Sequence, residues 1–233
     1  FREWIGAQIR ADIFGYVAPG RPEKAAALAF RDASISHDKN GIYGEMFVAA
    51  MIAAAFFADS AASIVTAGLN EIPKDSRLAA AVRATQSWCQ EELACGAPDW
   101  EQVWTKINEH YGHYHGVHTI NNAALVVLGV YFGFNDFEQG IVATTLAGWD
   151  TDCNAATVGS ILGVKLGAQA LPKKWTSVLN DQLVSAVRGE NHNKLSDLAE
   201  RTTVIAETLW STADEEPTAT LSGDASGVWE LET

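Results

Sequence analysis

Cations are scarce in this 233-residue chain: 16 Lys and Arg stand against 29 Asp and Glu, a formal net charge of −13. Such a chain lacks the cationic face that displaces counterions from phosphates, which excludes sequence-independent nucleic-acid binding. Cysteine is scarce too. Cys89, Cys95 and Cys153 make an odd count without framework spacing, and no Asn-x-Ser/Thr acceptor occurs. A disulfide-stapled scaffold is thereby set aside, and a reducing, cytoplasmic setting is expected. Long apolar runs are missing as well. The longest, Met46 to Ala58, has 13 residues between Glu45 and Asp59, well short of the roughly 20 that span a bilayer, so no membrane partner is expected. The first residues, Phe1-Arg2-Glu3-Trp4, include neither an initiator Met nor a signal-peptide core, and the chain is expected to be cut from something longer.

What is present has a globular composition, 48% hydrophobic and 19% charged. The acid excess is uneven. Residues 212–233 hold Asp214, Glu215, Glu216, Asp224, Glu230 and Glu232 with no Lys or Arg. That stretch reads as an acidic tail or linker ending in a strand-like Gly227-Val228-Trp229-Glu230-Leu231, and residues 1–211 as one helical domain. Alternating β-branched runs are nearly absent, whereas Ala-rich segments with apolar residues at three- and four-residue spacing fill the chain, which reads as all-α. Helices are predicted over residues 22–34, 41–57, 60–69, 75–95, 99–111, 119–132, 136–147, 151–168, 174–188 and 194–211. Pro22 suits a first helical position, Ser60, Ser76 and Asp99 are cap-type residues, and Asp136 precedes Glu138 in a first turn.

Met46 to Phe57 is apolar almost all round, the pattern of a helix enclosed on every side. Ala155, Gly159, Gly163 and Gly167 recur at steps of four, and four residues advance about 400° on a helix, so they form one slowly drifting stripe. Each interior glycine costs up to ~1 kcal/mol relative to Ala, so close helix-on-helix packing along that stripe is expected. Trp88, Trp100, Trp104 and Trp175 fall on helical patterns and are expected to pack. Trp149 is the exception, a candidate pocket wall.

The strongest chemical signal is Gly148-Trp149-Asp150-Thr151-Asp152-Cys153-Asn154, between two helical patterns. Two carboxylates at a helix start have a plain reading as caps favoured by the helix dipole. They have a functional one as hard-cation ligands, with waters completing the shell of Mg²⁺ or Mn²⁺. Two carboxylates make no complete cage, so further ligands must come from elsewhere.

Leu146 to Trp175, "LAGWDTDCNAATVGSILGVKLGAQALPKKW", resembles the C-terminal signature of the ADP-ribosylglycohydrolase family, a Gly-x-Asp-x-Asp turn leading into a Gly-rich helix. Ala33 to Phe56 resembles the family's Ser/Thr-His segment running into a central Ala-rich helix, and Trp4 to Gly15 the small-residue segment ending in Arg before it. The three stand in family order, and the likeness reaches about residue 211. The resemblance implies an orthogonal all-α multi-helix bundle and a binuclear Mg²⁺ or Mn²⁺ centre. It also implies hydrolysis of the N- or O-glycosidic bond between ADP-ribose, or a related ribosyl group, and its acceptor. Asp150 and Asp152 match catalytic metal ligands, and Cys153 stands where the family usually has a hydroxyl. Cys153 thus counts with Asp150 and Asp152 as a metal-site residue; thiolate is soft and Mg²⁺ hard, so it would either support the turn or bind a softer ion.

By the same resemblance Ser36 and His37 line the substrate pocket, Gly41 and Gly44 let backbone approach the ligand, and His118 approaches from a loop. Read without it, His37 is as readily a helix cap, and Arg10 is either near the diphosphate or a structural ion-pair residue. The chain contains no Asp-Asp pair, the family's N-terminal metal-ligand element, so an N-terminal segment or a second chain is expected to complete the metal site. The alternative is a catalytically inactive ADP-ribose-binding or structural helical module. His110, His113, His115 and His118 lie close together, but steps of three, two and three, broken by Gly112 and Gly116, match neither a helical His pair nor a zinc finger.

Overall fold

A computed structural model describes residues 1–211, 221–223 and 229–231. Among them are eleven α-helices. A 3-10 turn at Gln8–Arg10 leads into a short α1 (Asp12–Tyr16), then α2 (Pro22–Ala33), α3 (Asn40–Ala55), α4 (Ala61–Asn70), α5 (Arg77–Leu93) and α6 (Trp100–Tyr111). The chain continues through α7 (Thr119–Gly133), α8 (Phe137–Leu146), α9 (Thr151–Leu166), a four-residue α10 (Lys173–Thr176) and α11 (Leu195–Ser211). The fold is all-α, and α1 is the helix that periodicity did not reveal.

The helix starts follow local chemistry. Ser60 caps α4 in a reciprocal box with Ser63, and Ser76, Asp99 and Asp136 each accept a first-turn N–H of α5, α6 and α8. A cap of this kind contributes about 1 kcal/mol. The enclosed helix expected from Met46 to Phe57 is α3, whose residues Met46 to Ala53 are at most 1% exposed, but it ends at Ala55, and Phe56 and Phe57 beyond it are 40% and 78% exposed. It packs against α1, α2, α4 and α9. The second enclosed helix is α7, every residue of which is buried, with α5, α6, α8 and α9 around it. Its tightest crossing is with α8: a Cβ on Gly133 would stand 2.7 Å from the Gly140 Cα, and one on Gly129 2.0 Å from Thr144 Oγ1.

Two expectations are corrected. Residues 174–188 do not form a helix. After α10 and a 3-10 turn at Ser177–Leu179 the chain runs into strand β1 (Gln182–Val184), paired antiparallel with β2 (His192–Lys194). Asn180 and Asp181 take positive φ (50° and 54°), which no helix accommodates, and Gly189 (φ 84°) lies between the strands. Asp181 instead caps α11, accepting from Ser196 N–H at 2.9 Å. The glycine stripe of α9 is not a packing seam along its length either. A Cβ on Gly159 would meet Ile141 of α8 at 3.3 Å, one on Gly163 would meet nothing within 4 Å, and Gly167 (φ 75°) ends the helix. Trp88, Trp100 and Trp104 pack on the core as expected.

The tail strand expected over residues 227–231 is seen as β4 (Trp229–Leu231), antiparallel to β3 (Leu221–Gly223). Gly227 and Val228 lie outside the described residues. No described helix is long and apolar enough to cross a membrane.

Candidate functional site

The acidic turn sits where α8 ends and α9 begins. Gly148 (φ 91°) and Trp149 (φ 54°) reverse the chain there, and a non-glycine residue in that region costs roughly 1–3 kcal/mol. Asn122 of α7, fully buried, holds the reversal in place. Its Oδ1 accepts from Asp150 N–H at 3.2 Å and from Asn154 Nδ2 at 2.7 Å, while its Nδ2 donates to the Gly116 and His118 carbonyls, each at 2.8 Å. All four hydrogen-bonding directions of one amide thus join the turn to the loop before α7.

Asp150 occupies the N-cap position of α9, yet its side chain makes no capping hydrogen bond. The plain capping reading therefore fails for it. One ligand atom from each of Asp150, Asp152 and Cys153 lies within 4.8 Å of the others; Asp152 is exposed and the other two half-buried. Burial pushes the Asp150 carboxyl up, a hydrogen bond from the Cys153 thiol opposes this, and neighbouring Asp152 adds to it. The thiol is pushed up to about 12 by burial and by the two carboxylates. It donates a hydrogen bond to Asp150, and sulfur is a soft donor poorly matched to a hard cation. The two carboxylates fit a hard cation; the sulfur fits as their hydrogen-bonding support.

A second polar cluster lies around the 3-10 turn. Arg10 bonds the Asp32 carboxylate through Nε and donates to Ser36 Oγ at 3.0 Å, and Ser36 Oγ is 2.8 Å from His37 Nδ1. Arg10 is thus an ion-pair residue, as one sequence reading had it. His37 is not a cap: the N-cap of α3 is Lys39, at φ 47°. Glu45, fully buried in α3, stands 3.9 Å from Arg10 Nε, and neither of its oxygens has a hydrogen-bond partner. Burial, then the neighbouring Asp32 carboxylate, push it up to about 9, so it carries its proton at neutral pH.

The space over Gly41 and Gly44 is taken by protein. A Cβ on Gly41 would lie 2.4 Å from the Arg2 carbonyl, and one on Gly44 2.4 Å from Thr119 Cγ2 and 3.1 Å from Gln8 Oε1. Gly41 seats the N-terminal segment on α3, and Gly44 admits Thr119 of α7 beside Gln8. His118 caps α7, its Nδ1 accepting from Ile120 N–H at 3.2 Å, and its ring stacks on Tyr114 at 4.5 Å. Trp149 packs on the core, with Cδ1 4.0 Å from where a Gly116 Cβ would stand. Residues 3–5 run beside 117–119 through Ile5 N–H to Val117 O (2.8 Å) and Thr119 N–H to Glu3 O (3.0 Å). That strip connects the His37 cluster, through Gly6, to the loop that Asn122 ties to the acidic turn.

A family model described as ADP-ribosylglycohydrolase matches residues 3–213. The chain belongs to the ADP-ribosylglycohydrolase family. No curated protein and no solved structure matches it. The matched span contains the acidic turn, the Arg10 cluster and the strip joining them, and membership points to hydrolysis of ADP-ribose linkages. Spacing alone singled out Asp150 and Asp152. Asn122 and Glu45 had weaker signals: an amide pair opening an apolar helix, and a lone acid directly before an all-round apolar run.

Proposed function

We propose that this ADP-ribosylglycohydrolase is a metal-dependent hydrolase of the N- or O-glycosidic bond between ADP-ribose, or a related ribosyl group, and its acceptor. The observation that carries the reading is the acidic turn: two carboxylates gathered within 4.8 Å, one at a helix N-cap without capping and the other exposed. Asp150 and Asp152 would hold a divalent hard cation, Mg²⁺ or Mn²⁺, with the Cys153 thiol orienting Asp150. When bound, such an ion supplies Lewis acidity and lowers the pKa of water. The carboxylates offset the positive charge that develops on the ribose ring as the glycosidic bond lengthens. Asp152, the exposed one, would orient the attacking water or take its proton. His37 and Trp149 contribute to the pocket. A binuclear centre needs more carboxylates than this turn offers, and the reading assigns them to another segment of the enzyme or to a second chain.

The test is calorimetric titration of Mg²⁺ and Mn²⁺ into the chain and its Asp152→Asn variant, combined with an assay for ADP-ribose release. Weak metal binding by the chain, lost in the variant, is expected. Unchanged hydrolysis by an Asp152→Asn enzyme would overturn the assignment, and ADP-ribose binding without turnover in the metal-loaded, complete protein would favour the non-catalytic module.

A further inference from the structure

The contacts around Arg10 form a directed chain. Its Nη1 donates to the Gly6 carbonyl at 3.3 Å, and its Nη2 to the Asp32 carbonyl at 3.3 Å and to Ser36 Oγ at 3.0 Å. A guanidinium has only donors, so the Ser36 oxygen accepts. Its single hydroxyl proton is available to His37 Nδ1, 2.8 Å away, a contact whose direction depends on the imidazole tautomer. A hydroxyl that accepts from a cation is polarised into a better donor, so the two bonds reinforce one another. Which imidazole nitrogen bears the proton is set by the partner of the other nitrogen. The Nε2–Cε1 edge of the ring lies over Gly6, 3.3 and 3.4 Å from where a Cβ would stand, and Cδ2 lies 3.1 Å from the Cβ position of Gly41. Two residues without side chains therefore leave room for the ring and its outer nitrogen.

We propose that Arg10 and Ser36 are positioning residues that hold His37 as the neutral Nε2–H tautomer, so that the ring presents a hydrogen-bond donor over Gly6 to an acceptor oxygen of the bound ligand. That the oxygen belongs to ADP-ribose rests on the function proposed above; the tautomer does not. Burial, then Arg10, hold the His37 pKa below the ordinary histidine value. The N-terminal amine acts in the same sense, and Asp32 and Asp38, the latter paired with Arg2 at 3.2 Å, oppose it. A neutral ring is thus maintained beside the guanidinium.

The experiment is two-bond ¹H–¹⁵N correlation spectroscopy of the imidazole nitrogens in the full chain above neutral pH, with His37 assigned by its disappearance in His37→Gln. The expected spectrum shows Nε2 protonated and Nδ1 unprotonated with the shift of an accepted hydrogen bond. Ser36→Ala, at an exposed position, should lose that shift and admit the Nδ1–H form, and Ser36→Thr should restore it. A protonated Nδ1 in the parent chain, or an unmoved Nδ1 in Ser36→Ala, would overturn the proposal. In a second arm, Ser36→Ala should weaken ADP-ribose binding by about 2- to 10-fold, one hydrogen bond's worth, at unchanged melting temperature. If the parent shows the expected tautomer but the complete, metal-loaded protein takes up no ADP-ribose, the ligand assignment falls and the relay stands.

Discussion

Two acid-bearing helices of this chain are built in opposite ways. In α3, Glu45 is fully buried at the head of a helix enclosed on every side, and the protein keeps it neutral. At the start of α9, Asp150 and Asp152 stand at a strained turn, Asp150 half-buried, without a capping hydrogen bond and with its carboxyl pushed up by burial and by its neighbour, and Asp152 exposed. An acid that the fold tolerates is one it protonates and surrounds. At the head of α9 one acid is instead left exposed, and the backbone beneath the pair is held through Asn122.

The largest expected effect breaks the open side. Asp152→Asn should reduce metal-dependent release of ADP-ribose by ~10²-fold or more, beyond the 10- to 100-fold typical of residues that only support a ligand. Its melting temperature should stay within about 2 °C, because an exposed side chain contributes little to folding. A fall in stability parallel to the fall in activity would place Asp152 in the fold and not in the chemistry.

The enclosed side should respond to pH instead. The Glu45 carboxyl rises from the ordinary 4.5 to about 9 on folding, so between those values the folded chain holds a proton that the unfolded chain releases. Its contribution is complete below the lower value and is lost as pH rises through the upper one, with a slope of up to about 1.4 kcal/mol per pH unit. Glu45→Gln mimics the protonated acid and should flatten this loss. Urea unfolding from about pH 7 to about pH 9, above the range where histidines titrate, measures the difference in slope. Equal slopes in both proteins would show that Glu45 is ionised in the folded state, and the contrast between the helices would vanish.

Cys153 sharpens the chemistry of the turn. Cys153→Ala removes the donor to Asp150 and should weaken Mg²⁺ binding about 10-fold, the low end for a supporting hydrogen bond. Cys153→Ser keeps a donor and should stay within about 3-fold of the parent by the same reasoning. Equal losses in both variants, read by calorimetry, would show that sulfur itself bonds the ion.

What could be read from sequence was what short stretches of chain decide. Ser60, Ser76, Asp99 and Asp136 cap the helices they precede because a cap involves residues two or three apart. The burial of α3 was legible because apolarity all round leaves no face for water. Asp150 and Asp152 were legible as a pair from a spacing of two. The clamp beneath them was not, since Asn122 reaches partners 28 and 32 residues away. Residues 174–188 misled because Asn180 and Asp181 break a helical pattern through backbone conformation and a cap to Ser196, neither of which periodicity records.

Glycine spacing misled in the same way, and it supplies the smallest effect. Periodicity drew attention to α9, but glycines that admit a neighbouring helix lie elsewhere, Gly129 and Gly133 of α7 and Gly15 of α1 among them. A Cβ at Gly163 meets nothing within 4 Å, so Gly163→Ala adds a better helix former without a clash. It should stabilise the chain by up to ~1 kcal/mol, a rise in melting temperature of roughly 2–4 °C for a protein of this size. Gly129→Ala must push against Thr144 Oγ1 and should lower stability by about 1–3 kcal/mol. If Gly163→Ala destabilised the protein as Gly129→Ala does, the face of α9 running from Asp152 past Gly163 would be covered in solution. The acids at its head would then lie at the edge of a contact and not at an open surface, and the distinction between the two helices would narrow to their protonation alone.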